Sequence, residues 1–189
     1  MKEHALILVD IQNDYFPGGK WPLHNMEASA ENAKRILELA RAENIPVIHV
    51  YHESIDAEPA FFAPSSEGTR IHSIVAPIAG ELIVCKNEIN SFLNTNLEKH
   101  LKELSVKHVT ILGSMSHMCI DAAARATHDL GYTVTIVEDA CATRDLEFKG
   151  RTVAAEDVHS AFMSALDFAY AEVVSTQDYL NNRLHKGDK

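Results

Sequence analysis

Six short apolar runs punctuate the chain: Ala5–Val9, Pro46–Tyr51, Leu82–Cys85, Val106–Leu112, Tyr132–Val137 and Glu172–Ser175. Each is too short for a helix, and the first is unbroken by any polar residue, as a strand buried on both faces of a parallel sheet should be. Helical spacing fills the gaps between them. Glu27 to Glu43 places Ala33, Ile36, Leu37 and Ala40 on one face and Lys34, Arg35, Glu38 and Arg41 on the other. Further helices are predicted over Leu93–Leu104, from Cys119 to Gly131, over Thr152–Tyr170 and over Thr176–Leu184, with Arg183–Lys189 as a frayed polar end. Strands alternating with helices predict the α/β class: three layers, with a parallel sheet covered on both faces. Repeats and low-complexity segments are absent, and 189 residues suit a single domain spanning 1–189.

In such a sheet the site lies beyond the carboxyl ends of the strands. Asp10, His52, Lys86 and Cys119 all fall at predicted strand ends. Each has a plainer alternative: Asp10 as a turn former, His52 and Lys86 as solvated strand-end residues, Cys119 as a small buried hydrophobe. Together they offer more. A cysteine nucleophile needs a base, a positive charge and donors for an oxyanion, and Asp10 and Lys86 can supply the first two. Cys119 is predicted where a strand becomes a helix, beside unpaired N–H groups, so its pKa is expected to fall below the usual value of about 8.5.

Two loops could wall a pocket. Tyr15–Pro22 combines aromatic residues with Gly and Pro, and Ser54–Gly68 carries Phe61 and Phe62 without periodicity. A loop as long as the second serves as a lid or fills a subunit contact.

Composition narrows the partners. The formal net charge is -10 and no Lys/Arg cluster appears, which disfavours nucleic acid and anionic membranes. Small molecules or proteins are the expected partners. The opening Met-Lys-Glu-His-Ala has no signal-peptide pattern and no apolar run reaches membrane-span length, so a cytoplasmic location is expected. Three isolated cysteines, Cys85, Cys119 and Cys141, fit neither a disulfide framework nor a CxxC zinc site. His49 and His52 are three apart on a predicted strand and so face opposite ways, which rules them out as a metal-binding pair. No glycine-rich phosphate cradle follows a strand, which removes dinucleotide cofactors from consideration.

Four segments bear a resemblance: Leu8–Phe16 (Leu-Val-Asp-Ile-Gln-Asn-Asp-Tyr-Phe), Cys85-Lys86 with Asn90-Ser91-Phe92, Gly113–Ile120 (Gly-Ser-Met-Ser-His-Met-Cys-Ile), and Asp139-Ala140-Cys141-Ala142. In this order they resemble the isochorismatase-like cysteine hydrolases, which include nicotinamidases and N-carbamoylsarcosine amidohydrolases. The resemblance implies a six-stranded sheet of order 3-2-1-4-5-6 and a triad of Asp10, Lys86 and Cys119. It also implies a cis peptide between Ser114 and Met115, with the Met115 and Cys119 backbone N–H groups forming an oxyanion hole. Metal-dependent nicotinamidases carry Asp-x-His after the second strand; Val50-Tyr51-His52 stands here instead, so no metal and no other cofactor are expected. The implied activity is hydrolysis of an amide, ureido or lactam C–N bond through a thioester, with substrate contacts from Phe16, Trp21, His52, Phe61, Phe92 and His117. A homo-oligomer is expected as well. Cleavage of another bond, a binding module that turns nothing over, and a thiol redox switch are the alternatives.

Overall fold

The structure, a computed structural model, describes residues 3–184, so the predicted polar end falls from 185 onward outside the described residues. β1 (His4–Val9), β2 (Val47–His52), β3 (Leu82–Lys86), β4 (His108–Ser114) and β5 (Thr133–Ala142) follow the predicted runs. Helices α1 (Met26–Ala42), α2 (Leu97–Glu103) and α3 (Asp121–Asp129) lie between them. A hairpin absent from the sequence prediction comes next, β6 (Leu146–Phe148) with β7 (Arg151–Val153). α4 (Ala155–Ala169), β8 (Glu172–Val174) and α5 (Thr176–Leu184) complete the chain.

The sheet is parallel throughout, in the order β3-β2-β1-β4-β5-β8. It matches the predicted order, its sixth strand being β8 because the hairpin intervenes. The first crossover runs from β1 toward β2 and a later one from β4 toward β5, in opposite directions. Right-handed crossovers therefore put α1 and α3 on opposite faces and open a crevice between β1 and β4. α1 packs with α5, and α4 packs with α3.

β1 is buried along its whole length because it is central and apolar. Its last residue, Val9, pairs with Gly113 of β4, where φ is +126° and an added Cβ would lie 2.0 Å from the Val9 carbonyl oxygen. Only glycine lets the two strands approach so closely at the end that carries the site.

Three elements differ from their prediction. The last helix before β8 starts at Ala155 instead of Thr152, because Thr152 and Val153 pair with Glu147 and Leu146. α2 starts at Leu97 instead of Leu93, since Asn94 adopts φ +57° and interrupts helical geometry. β5 runs to Ala142, with a register shift opposite Ile111 and Gly113 that inserts a bulge after Val137. Among the described residues, no helix is long and apolar enough to cross a membrane.

Candidate active site

Asp10 follows β1 directly, in the left-handed region at φ +51°, with its N–H bonded to the Val50 carbonyl. Lys86 ends β3. Cys119 sits in a single π-helical turn, Ser116–Ile120, between β4 and α3. These segments are far apart in sequence, yet Lys86 Nζ lies 2.9 Å from Asp10 Oδ2 and 3.3 Å from Cys119 Sγ. All three are removed from solvent: Asp10 is 0% exposed, Lys86 1% and Cys119 3%. The peptide between Ser114 and Met115 is cis.

Burial opposes the Lys86 charge, but Asp10 and Cys119 outweigh it and its pKa is raised. Cys119 departs from expectation. Burial first, and the Asp10 carboxylate second, push its thiol well above the ordinary value, with Lys86 pulling the other way. Cys119 does sit in the first helical turn, Ser116–Ile120, but burial and the carboxylate reverse the lowering expected there. At rest the cluster is a carboxylate, an ammonium and a thiol. The Lys86 ammonium at Oδ2 and the Cys119 thiol are the side-chain donors to the Asp10 carboxylate among the described residues.

His52 joins this cluster. Its Nδ1 lies 3.0 Å from Lys86 Nζ, which also donates to the Glu88 carbonyl at 3.1 Å. Gln12 holds the His52 backbone at both ends, accepting its N–H and donating to its carbonyl, each at 2.8 Å. Tyr15, which the sequence reading left among the loop aromatics, is buried close by. Burial, then the charges of Asp10 and Cys119, keep its phenol neutral well above the usual range.

The other predicted contacts divide. Phe61 packs 5.9 Å from the Tyr15 ring and 4.9 Å from Trp21, and Arg144 covers the far face of Trp21 at 4.4 Å. His117, two residues before Cys119, bonds Thr143 Oγ1 through Nδ1 at 2.6 Å, and burial, then Arg144, lower its pKa. A cavity of about 490 Å³ opens here, lined by Lys20, Trp21, Pro22, His24, Arg144 and Asp145. Arg144 Nε donates to the Asp145 backbone carbonyl at 3.2 Å, while the Asp145 carboxylate accepts the Ala155 N–H at the start of α4, at 2.8 Å. Phe16 and Phe92 are not joined to the cluster by any described contact. Phe16 stacks on His72 at 3.6 Å, and Phe92 is half-buried against the core.

The long loop is tied down within its own chain. Asp14 accepts the Phe62 N–H at 2.7 Å and the Lys20 N–H at 3.1 Å, and its own N–H bonds the Gly68 carbonyl. A Cβ at Gly68 would lie 2.1 Å from the Asp14 carboxylate, so this clasp needs glycine. Phe62 fills the core and Phe61 stacks on Trp21. Sequence reasoning also missed a buried support behind the turn: Ser116 Oγ is 2.8 Å from His159 Nδ1, and His159 Nε2 is 3.4 Å from Glu138. Among the described residues no three His, Cys, Asp or Glu side chains are grouped to hold a metal ion.

The sequence and the fold have counterparts. The isochorismatase domain model matches residues 4–178. The isochorismatase family protein YddQ of Bacillus subtilis is 46% identical over 176 residues, covering 93% of this chain and 98% of its own. A crystal structure described as an isochorismatase hydrolase from Oleispira antarctica superposes with a TM-score of 0.92 at 50% identity, covering 95% of this chain and 97% of the other. The maleamate amidohydrolase of Pseudomonas putida is 26% identical over 201 residues, covering 97% of this chain and 88% of its own.

Proposed function

The chain belongs to the isochorismatase family of hydrolases, and from that premise we propose that it hydrolyses a C–N bond of a small amide, ureido compound or lactam, with Cys119 as nucleophile. The observation that carries this is the position of the Lys86 ammonium, within 3.3 Å of both a buried carboxylate and a buried sulfur.

Cys119 starts as a thiol, and Asp10, hydrogen-bonded to it, is the base of the first step. The Cys119 proton passes to the Asp10 carboxylate, and the Lys86 ammonium, losing one anion, gains another 3.3 Å away. Total charge in the cluster is unchanged, so the transfer takes place without new charge in a dry site. The thiolate attacks the carbonyl carbon, and the Met115 and Cys119 N–H groups hold the resulting oxyanion. The C–N bond breaks as Asp10 returns the proton to the leaving nitrogen, which departs as ammonia or an amine. Asp10 then takes a proton from water, whose oxygen attacks the thioester and releases the acid and the thiol.

Arg144 narrows the substrate. A guanidinium stacked on Trp21 at the cavity, with no carboxylate partner among the described residues, suits a substrate that carries a carboxylate of its own. The name of the Pseudomonas relative describes such a molecule, an amide of a dicarboxylic acid. Ammonia or amine release across a panel of acid amides, ureido acids and lactams, with and without Cys119→Ala, tests the assignment. Turnover of an identified substrate by the alanine variant would refute it.

A further inference from the structure

β2 and β3 pair so that His52 stands directly opposite Lys86. The Lys86 ammonium has three N–H bonds to donate. Four acceptor atoms surround it: Asp10 Oδ2 at 2.9 Å, His52 Nδ1 at 3.0 Å, Glu88 O at 3.1 Å and Cys119 Sγ at 3.3 Å. While Cys119 is a thiol the match is complete, because the sulfur keeps its own proton and the three N–H bonds go to the other three. When the sulfur becomes a thiolate and Asp10 is protonated, the N–H given to Asp10 is free to turn to sulfur.

A ring nitrogen facing an ammonium has to offer a lone pair. His52 is therefore neutral, with its proton on Nε2. Gln12, itself fully buried, anchors the His52 backbone on both sides and spends its other amide N–H on Thr69 O at 2.7 Å. That anchor fixes the His52 backbone beside Lys86, and the contact with the ammonium orients the ring.

We propose that His52 is a positioning residue for the thiol-to-carboxylate proton transfer: Nδ1 takes one Lys86 N–H and so holds the ammonium between Asp10 and Cys119, and protonation of His52 releases it. A protonated Nδ1 would set an N–H against an ammonium, two cations with no acceptor between them. The charged and titratable groups facing the ring are Lys86 and Glu88 from β3 and the turn after it, Asp10 from the end of β1, Asp56 from the long loop, and Cys119 and Tyr15 around Asp10. Burial, then Lys86, hold the His52 pKa below the ordinary histidine value, against Asp10, Glu88 and Asp56. The neutral ring is thus the form present near neutral pH, and the site fails on the acid side.

The proposal rests on the hydrolase assignment only for its bearing on turnover. Two measurements test it without a substrate: NMR of the histidine nitrogens in isotope-labelled wild-type protein, and the absolute rate of iodoacetamide alkylation of Cys119 from about pH 5 to about pH 9 in wild type, His52→Ala and His52→Asn. Asparagine puts a non-titrating acceptor near the place of Nδ1. The expected results are an Nε2–H tautomer near neutral pH and a wild-type Cys119 rate that drops on the acid side. The rate should stay level across the range in His52→Asn and lie about tenfold lower throughout in His52→Ala. An Nδ1–H tautomer or an imidazolium near neutral pH would overturn the proposal, as would a wild-type acid drop retained by His52→Asn. Absence of ammonia or amine release, with the tautomer and the rates as expected, would refute the hydrolase and leave His52 in its role.

Discussion

Two buried ionic clusters lie on neighbouring strands of this sheet, and β2 supplies a histidine to each. In the first, Glu81 takes a two-pronged contact from Arg41 at 2.7 and 2.9 Å, the His49 Nε2 at 2.9 Å and the Ile78 N–H at 2.9 Å. Burial works against the Glu81 charge, but those donors win and its pKa is lowered to about 2. In the second, Asp10 has the Lys86 ion pair and the Cys119 thiol, and the ammonium is shared among four acceptors. The ingredients are alike: a carboxylate, a cation and a histidine that burial makes less basic. The donor count separates them. A carboxylate held by four donors is locked in its charged form and holds structure, whereas one that faces a thiol can accept its proton.

The comparison breaks most readily at Cys119. Cys119→Ala should lower turnover of an identified substrate by roughly a thousandfold or more while leaving thermal unfolding near wild type. Asp10→Asn should lower turnover about as much, since it removes the proton acceptor, but it also leaves the Lys86 ammonium buried without its carboxylate and should lower the melting temperature; stopped assays of ammonia release and a melting curve measure both. If the second cluster were only structural like the first, both variants would keep activity.

Glu81→Gln should show the reverse pattern. It strips a partner from Arg41 and His49 and should cost on the order of 2 kcal/mol, less than a fully buried pair because Arg41 is partly in water. Cys119 alkylation should not change. The contribution of Glu81 comes from a depressed pKa, so it is complete above the usual carboxylate value and is lost as the pH falls toward about 2. Urea midpoints of wild type and Glu81→Gln should therefore differ most near neutral pH and converge in acid.

Smaller effects sharpen the picture at the cavity. Arg144→Gln should raise KM about tenfold for a substrate bearing a carboxylate and leave kcat within about threefold. For the matching neutral amide KM should stay where it is, and steady-state kinetics on the pair would show it. Equal effects on both substrates would detach Arg144 from substrate charge.

Much of this was legible along the chain. β1, β2 and β4 are buried strands and so announce themselves as apolar runs, and the residues after them mark the functional edge. The two-residue period of a strand already placed His49 and His52 on opposite faces of β2. The hairpin of β6 and β7 was less visible. Its Lys149-Gly150 turn takes positive φ at both positions, +50° and +75°, but lacks the Asn-Gly or Asp-Gly that marks such turns in sequence. Phe16 stacks on His72 and Phe92 lies against the core, neighbours that residue type along the chain does not foretell.

By itself, then, the sequence determined a parallel sheet, whose strand order was implied only by the resemblance to a known family, and the residues standing at its strand ends, because burial periodicity is a local property. Tertiary structure alone decided the charge states there. Whether the Cys119 thiol is acidic depends on how much water reaches it and on the fields of Asp10 and Lys86, which come from segments far away in the chain. A strand-to-helix junction suggested a lowered pKa, and burial beside a carboxylate reversed it.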